Sequence, residues 1–343
     1  MLHTEKRQSN IALLRIIAMF MILGLHVNFI AIGVPEIQVI SNMPLQGFAR
    51  LFTENMCIVG VNVFVLISGW FGIHFKTKGI CSFIFQCLFF SLIVFIAFAA
   101  TGQVEINRIN IMSAFLLYKN AYWFVWAYLF LYILAPVLNG FIDNANRGTV
   151  KRVIILFFAI QTITFIFTNT GFTKAGYSPL SFIGLYLLAR YYRLHKQNNC
   201  KYIYLGIYLL CALCNTLIYF IPAYLGQENN TIFSISISYT NPLNIIGALS
   251  LLLFFTKIDI KSRFINWVAS SCFAVYLFHM HFCISDYYLR IAKDIYENFS
   301  GVTYLAVIIC FMIIVFAIAV LIDKTRITLF NQIWNAASRS KKV

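Results

Sequence analysis

The sequence predicts an all-α integral membrane protein with about ten transmembrane helices and both termini in the cytoplasm. Three observations carry that prediction. Hydrophobic residues make up 61% of the 343 residues and charged residues only 11%; soluble domains hold roughly 45–50% and 25%. Apolar runs of spanning length, about 17–25 residues, recur from one end of the chain to the other. With the N-terminus placed inside, 19 of the 26 Lys and Arg residues fall in cytoplasmic segments and 6 in external ones, Arg15 lying within the first span. That is the asymmetry of the positive-inside rule.

The expected spans are 11–32, 52–73, 80–101, 112–141, 152–170, 179–193, 202–222, 240–255, 265–289 and 301–322. The first run is too long for a signal-peptide core and no small-residue cleavage site follows it, so it is read as a retained helix. The fourth carries a polar break at Lys119–Asn120, which moves its expected start to about 121. The sixth and eighth are short. Every connecting segment is brief, so a single membrane domain over 1–343 is expected. The basic loops face the anionic leaflet, which accounts for the net charge of +15 without nucleic acid as a partner. The expected location is the cell's inner (cytoplasmic) membrane.

The nine cysteines form no disulfide framework, since most lie in expected spans, where Cys acts as a small hydrophobe. Cys211 and Cys214 have the CxxC spacing but sit inside an apolar helix with no second pair, so no metal site is expected. Asn229-Asn230-Thr231 matches a glycosylation sequon, a short pattern that chance often supplies.

Chemistry is concentrated in the first span. Ionisable groups within a membrane are costly and usually functional. Arg15 and His26 are eleven residues apart, close to three full turns, so both project from one helix face about 16 Å apart along the axis. A neutral imidazole inside the membrane can take a proton from a hydroxyl; the plainer reading is a histidine satisfied by a neighbouring helix. Arg15 suits a phosphate through its planar fork of donors; the plainer reading is a side chain snorkelling to the headgroups. Glu54 and Asp286 lie near the outer ends of their spans, as orienters of His26 or as wetted termini. His279 and His281 are about 200° apart on a helix and cannot chelate one metal together.

The sequence resembles the membrane-bound acyltransferase-3 family. Arg15 and His26, with ten residues between them, match the family's first-helix signature, and Asn10 to Ala18 resembles its helix start. Gly60 to Trp70, reading GVNVFVLISGW, resembles the second-helix segment that ends in Ser-Gly-aromatic. Tyr122 to Tyr128, running on to Asn139, and Ser270 to His279, reading SSCFAVYLFH, resemble two later helices. The four blocks occur in family order.

The resemblance implies a ten-helix enzyme of the polysaccharide O-acetyltransferase type. Such an enzyme moves an acyl group, usually acetyl, from acyl-coenzyme A to a hydroxyl of a surface or lipid-linked glycan. The acyl-coenzyme A is a co-substrate, and no permanently bound cofactor is implied. His26 matches the catalytic histidine and Arg15 the essential arginine. Many members carry an arginine pair after the second helix, linked to the donor; here that loop reads His74-Phe75-Lys76-Thr77-Lys78. Lys76 and Lys78 supply point charges without an Arg fork. Asn62 and Ser68 are candidate oxyanion donors, and His279 is a packing or site residue; Trp123, Trp126 and Tyr128 are candidate stacking partners for a sugar or a nucleotide base, the plainer reading being an interfacial aromatic belt. The competing reading is a multi-pass transporter or flippase of polysaccharide or lipid-linked sugar. Such proteins also bury ionisable groups, but paired repeats and Pro-broken helices are not evident among only six prolines.

Overall fold

In the computed structural model the described residues are 8–118, 122–168, 174–195, 200–227 and 230–340, and among them no strand occurs. Lys6, Arg7, Lys119, Lys196, Lys341 and Lys342 of the charge census, the break at Lys119–Asn120 and Asn229 of the sequon lie outside them. In chain order the α-helices are α1 Ser9–Leu25, α2 Ile37–Asn42, α3 Pro44–Cys57, α4 Val59–Phe71, α5 Thr77–Ala100, α6 Arg108–Ala114, α7 Trp123–Asn144 and α8 Arg147–Ile163. They continue with α9 Pro179–Leu194, α10 Lys201–Tyr224, α11 Asn230–Ser236, α12 Pro242–Thr256, α13 Arg263–Ala269, α14 Cys272–His279, α15 Ser285–Asn298 and α16 Gly301–Ser340.

Seven helical segments among the described residues are long and apolar enough to cross a membrane. Three of the ten expected spans take another form. The segments at 179–193 and 240–255 are helices of 16 and 15 residues, short of the ~20 residues that cross a ~30 Å core. The segment at 265–289 divides into α13, α14 and the start of α15. Polar side chains explain the second break in it. His281 Nδ1 accepts the Cys283 N–H at 3.1 Å, taking a donor that a continuing helix would need. Conversely α16 runs 40 residues, far beyond the expected 301–322. Past the apolar stretch, Asp323 and Arg326 pair at 2.6 Å on adjacent turns, and Gln86 Nε2 of α5 donates to the same carboxylate at 2.9 Å.

The helices pack as two compact units, residues 1–74 with 127–266 and residues 75–126 with 267–343. In the first, α4 lies at the centre and packs on α1, α9 and α12, while α10 packs on α3 and α12. Most of α4 is buried. Two glycines let neighbours approach it closely, as small residues do in membrane bundles. A Cβ at Gly60 would stand 2.9 Å from Ala18 O of α1. A Cβ at Gly69 would stand 2.5 Å from Tyr186 O of α9, closer than real contacts allow. Gly69→Leu is therefore expected to force α4 and α9 apart at an overpacking cost of about 1–3 kcal/mol. A lowered unfolding midpoint in detergent checks this, and an unchanged midpoint contradicts it. In the second unit, α5, α14 and α16 pack on one another.

Candidate active site

The α-helical path from Ser9 to Leu25 is unbroken. The turn arithmetic that places Arg15 and His26 on one face therefore applies along the whole interval. At His26 the helix changes character: His26–Ala31 is π-helical, the wider winding that occurs often at functional sites. His26 itself is partly buried.

A polar lock holds this wide turn. Asn28 and Glu54 are 8% and 4% exposed. The Asn28 amide donates to Arg50 O at 2.9 Å and to Glu54 Oε2 at 3.0 Å. Arg50 Nε donates back to Asn28 Oδ1 at 3.1 Å, and Arg50 Nη2 donates to Asn28 O at 2.9 Å and to Gly33 O. Carbonyls that a π turn presents at wider spacing thus find a forked donor from α3. Glu54 is no wetted terminus: it is buried and bonded to Asn28, two residues after His26 in the chain. Asp286 is exposed in the first turn of α15.

Three helices, α1, α4 and α7, meet around the other end of the face. The Arg15 guanidinium lies over the Phe71 ring at 5.8 Å and acts electrostatically on the Tyr128 hydroxyl. Tyr128 and Ser68 share a hydrogen bond of 3.2 Å, and Ser68 Oγ also donates to Phe64 O at 3.2 Å. The structure thus brings Arg15, Ser68 and Tyr128 together on α1, α4 and α7. Asn62 is placed differently: its amide donates to Tyr239 O at 2.9 Å, tying α4 to the segment before α12.

The loop after α4 is firmly seated. Gly72 adopts φ 75°, a backbone state that suits glycine. Tyr186 Oη accepts the Ile73 N–H at 2.9 Å and donates to Asn139 Oδ1 at 2.7 Å, while Asn139 Nδ2 donates to Ile73 O at 3.0 Å. Two arginines of α9 come to the same place. Arg193 stacks on Trp70 at 5.1 Å, and a Cβ at Gly72 would meet Arg190 Nη1 at 3.1 Å. Arg190 also reaches Asp143 at 3.9 Å. At the Ser9 end of α1 a cavity of about 930 Å³ opens, lined among others by Asn10, Trp70, Tyr192, Arg193, Lys257 and Arg263.

The remaining sequence candidates belong to the second unit. Lys76 caps α5 and Lys78 sits in its first turn, both exposed. Trp123 opens α7 half-buried, edge-on to Phe124 at 5.8 Å. His279 is fully buried, with Nδ1 2.6 Å from Val275 O of its own helix and its ring 5.2 Å from Tyr288. His281 donates from Nε2 to Ser91 O at 3.0 Å, tying the turn after α14 to α5, while its Nδ1 accepts the Cys283 N–H. These contacts are the packing reading of the two histidines.

The sequence treated Arg50, Arg190 and Arg193 as topological charges alone. One signal in the sequence did exist: Tyr186, Arg190 and Arg193 are spaced four and three apart, one face of a helix. Asn28 carried no comparable signal. A family model described as an acyltransferase domain matches residues 8–324, nearly the whole chain. No curated protein and no solved structure matches it.

Proposed function

Because the chain belongs to the membrane-bound acyltransferase-3 family, we propose that it is an O-acyltransferase that moves an acyl group, usually acetyl, from acyl-coenzyme A to a hydroxyl of a surface or lipid-linked glycan. It acts as a single multi-pass domain of the cell's inner membrane, with both termini cytoplasmic and ten crossings, the seven long helical segments being joined by the two short helices and the divided 265–289 segment. The observation that carries this reading is the uninterrupted α1 face, with Arg15 beside the Ser68–Tyr128 pair at one end and His26 at the start of the π turn at the other.

The chemistry follows from that spacing. Donor phosphates lie at the cytoplasmic side, where the Arg15 fork clamps them. The pantetheine arm matches the ~16 Å rise to His26 and delivers the thioester there. His26 takes the proton of the acceptor hydroxyl as its oxygen attacks the thioester carbon. The carbon–sulfur bond then breaks, and the thiolate leaves with the proton that His26 held. The tetrahedral oxyanion between these steps needs a hydrogen-bond donor. Ser68 and Tyr128 cluster at the Arg15 end, and Asn62 is engaged with Tyr239 O, so that donor is assigned to none of the three.

Arg15→Ala tests the donor half of the account. Losing one charge-assisted contact costs about 1.5–3 kcal/mol, so coenzyme A binding to the purified protein should weaken roughly tenfold or more. Unchanged affinity in a folded Arg15→Ala protein reduces Arg15 to a snorkelling side chain.

A further inference from the structure

The cavity at the Ser9 end of α1 has no role in the proton transfer, yet its lining is built for an anion. Four cations line it, Arg193, Lys257, Lys261 and Arg263, and among the lining residues Asp259 is the only carboxylate. Asp259 and Lys261 pair with each other at 3.9 Å on an exposed edge. That leaves Arg193, Lys257 and Arg263 as positive charge with no lining carboxylate to offset it. Arg193 is oriented by Trp70, whose ring it covers at 5.1 Å. A guanidinium held over an aromatic ring keeps N–H donors for an anion beside it. Trp70 is 5% exposed, and its Nε1 has no hydrogen-bond partner among the described residues. The volume lies within the roughly 300–1,000 Å³ range of small-molecule sites.

We propose that this cavity binds a terminal phosphomonoester on a nucleoside, held by Arg193, Lys257 and Arg263, and that it seats the 3′-phosphate end of the donor. The assignment rests on the acyl-coenzyme A reading above and extends it to residues outside the Arg15–His26 face. The order of groups supports it. Asn10 lines the cavity, Arg15 follows five residues later on the same unbroken helix, and His26 eleven residues after that. A coenzyme A thioester presents its parts in the same sequence: phosphorylated nucleoside, diphosphate, pantetheine arm, reacting carbonyl. The arginine pair absent from the loop after α4 is thereby replaced by Arg193 of α9, Lys257 at the end of α12 and Arg263 at the start of α13. Tyr192 and Trp70 add aromatic surface beside the base.

The test compares coenzyme A with 3′-dephospho-coenzyme A, measured by calorimetry on the full chain in phosphatidylcholine nanodiscs. The wild type is expected to bind coenzyme A roughly tenfold or more tightly than the dephospho form. Arg193→Ala should bring coenzyme A down to the dephospho level and leave the dephospho form within a few-fold. Lys257→Ala combined with Arg263→Ala repeats the test at the end of α12 and the start of α13, should loss of the Arg193–Trp70 contact unfold the end of α9. Equal affinity of the wild type for the two ligands overturns the proposal, as does an equal loss of both in the variants. A discrimination that appears only when phosphatidylglycerol is added assigns the cations to lipid phosphate and also overturns it. If the wild type consumes acetyl-coenzyme A but shows no discrimination, this inference alone fails. If it binds neither ligand, the acyl-coenzyme A reading fails and this site with it.

Discussion

His26→Ala is expected to lower acyl transfer by about 10²–10⁴-fold, the usual contribution of a general base, while leaving membrane insertion intact. Donor affinity should stay within a few-fold, because the clamp at Arg15 lies about 16 Å away along α1. The imidazole is removed from a partly buried position at the mouth of the π turn, where Arg50 and Asn28 hold the backbone independently of the ring. The variant should therefore lose turnover rather than fold. Turnover, coenzyme A binding and the unfolding midpoint of one purified sample separate these effects. A variant that loses donor binding as strongly as turnover assigns His26 to binding instead.

Arg50→Ala should be nearly as damaging by another route. It removes the donors that satisfy Asn28 Oδ1, Asn28 O and Gly33 O, and it leaves the buried Glu54 carboxyl without its neighbouring positive charge. Hydrogen bonds to charged groups contribute about 1.5–3 kcal/mol each, and breaking a buried cluster from one side costs more than the cluster contributes in net terms. A stability loss of about 2–4 kcal/mol is expected. Turnover should fall further than donor affinity, because the turn that begins at His26 loses its brace. Arg50→Lys should not restore it, since an ammonium cannot reach three acceptors in fork geometry. Wild-type midpoint and turnover in Arg50→Ala would remove the lock from the account.

The shared helix face of Arg15 and His26 was legible because they lie on the stretch where a simple period holds. From Ser9 to Leu25 the helix is regular, so counting eleven residues from Arg15 to His26 gave a true face. The π turn was not legible. The segment from His26 to Ala31 contains neither Pro nor Gly, and the extra residue is held by bonds from α3, about twenty residues away in the chain. Arg50 was consequently counted as an external loop charge, although its donors are spent on the neighbouring turn. The break in 265–289 has a similar origin. Apolarity runs through it, and the His281 side chain decides where helical bonding stops. Arg190 and Arg193 illustrate the limit of charge counting. Both were read as cytoplasmic bias, yet Gly69 lets α9 approach α4 closely enough to carry their guanidinium groups onto Trp70 and Gly72. Lys76 and Lys78 were singled out by their place in the sequence after the second-helix motif, and both are exposed at the start of α5.

The most direct test follows a labelled acetyl group from acetyl-coenzyme A into the native glycan. Membranes carrying wild-type protein or His26→Gln at matched levels would be compared. Gln keeps the size of the ring and some of its hydrogen bonding but cannot act as a base. Base-stable incorporation is not expected: the label should appear as an ester that mild alkali releases, with the wild type only, and be nearly absent with His26→Gln. Near-normal ester formation by His26→Gln, or failed glycan export with acylation intact, would contradict the central claim and favour a transporter.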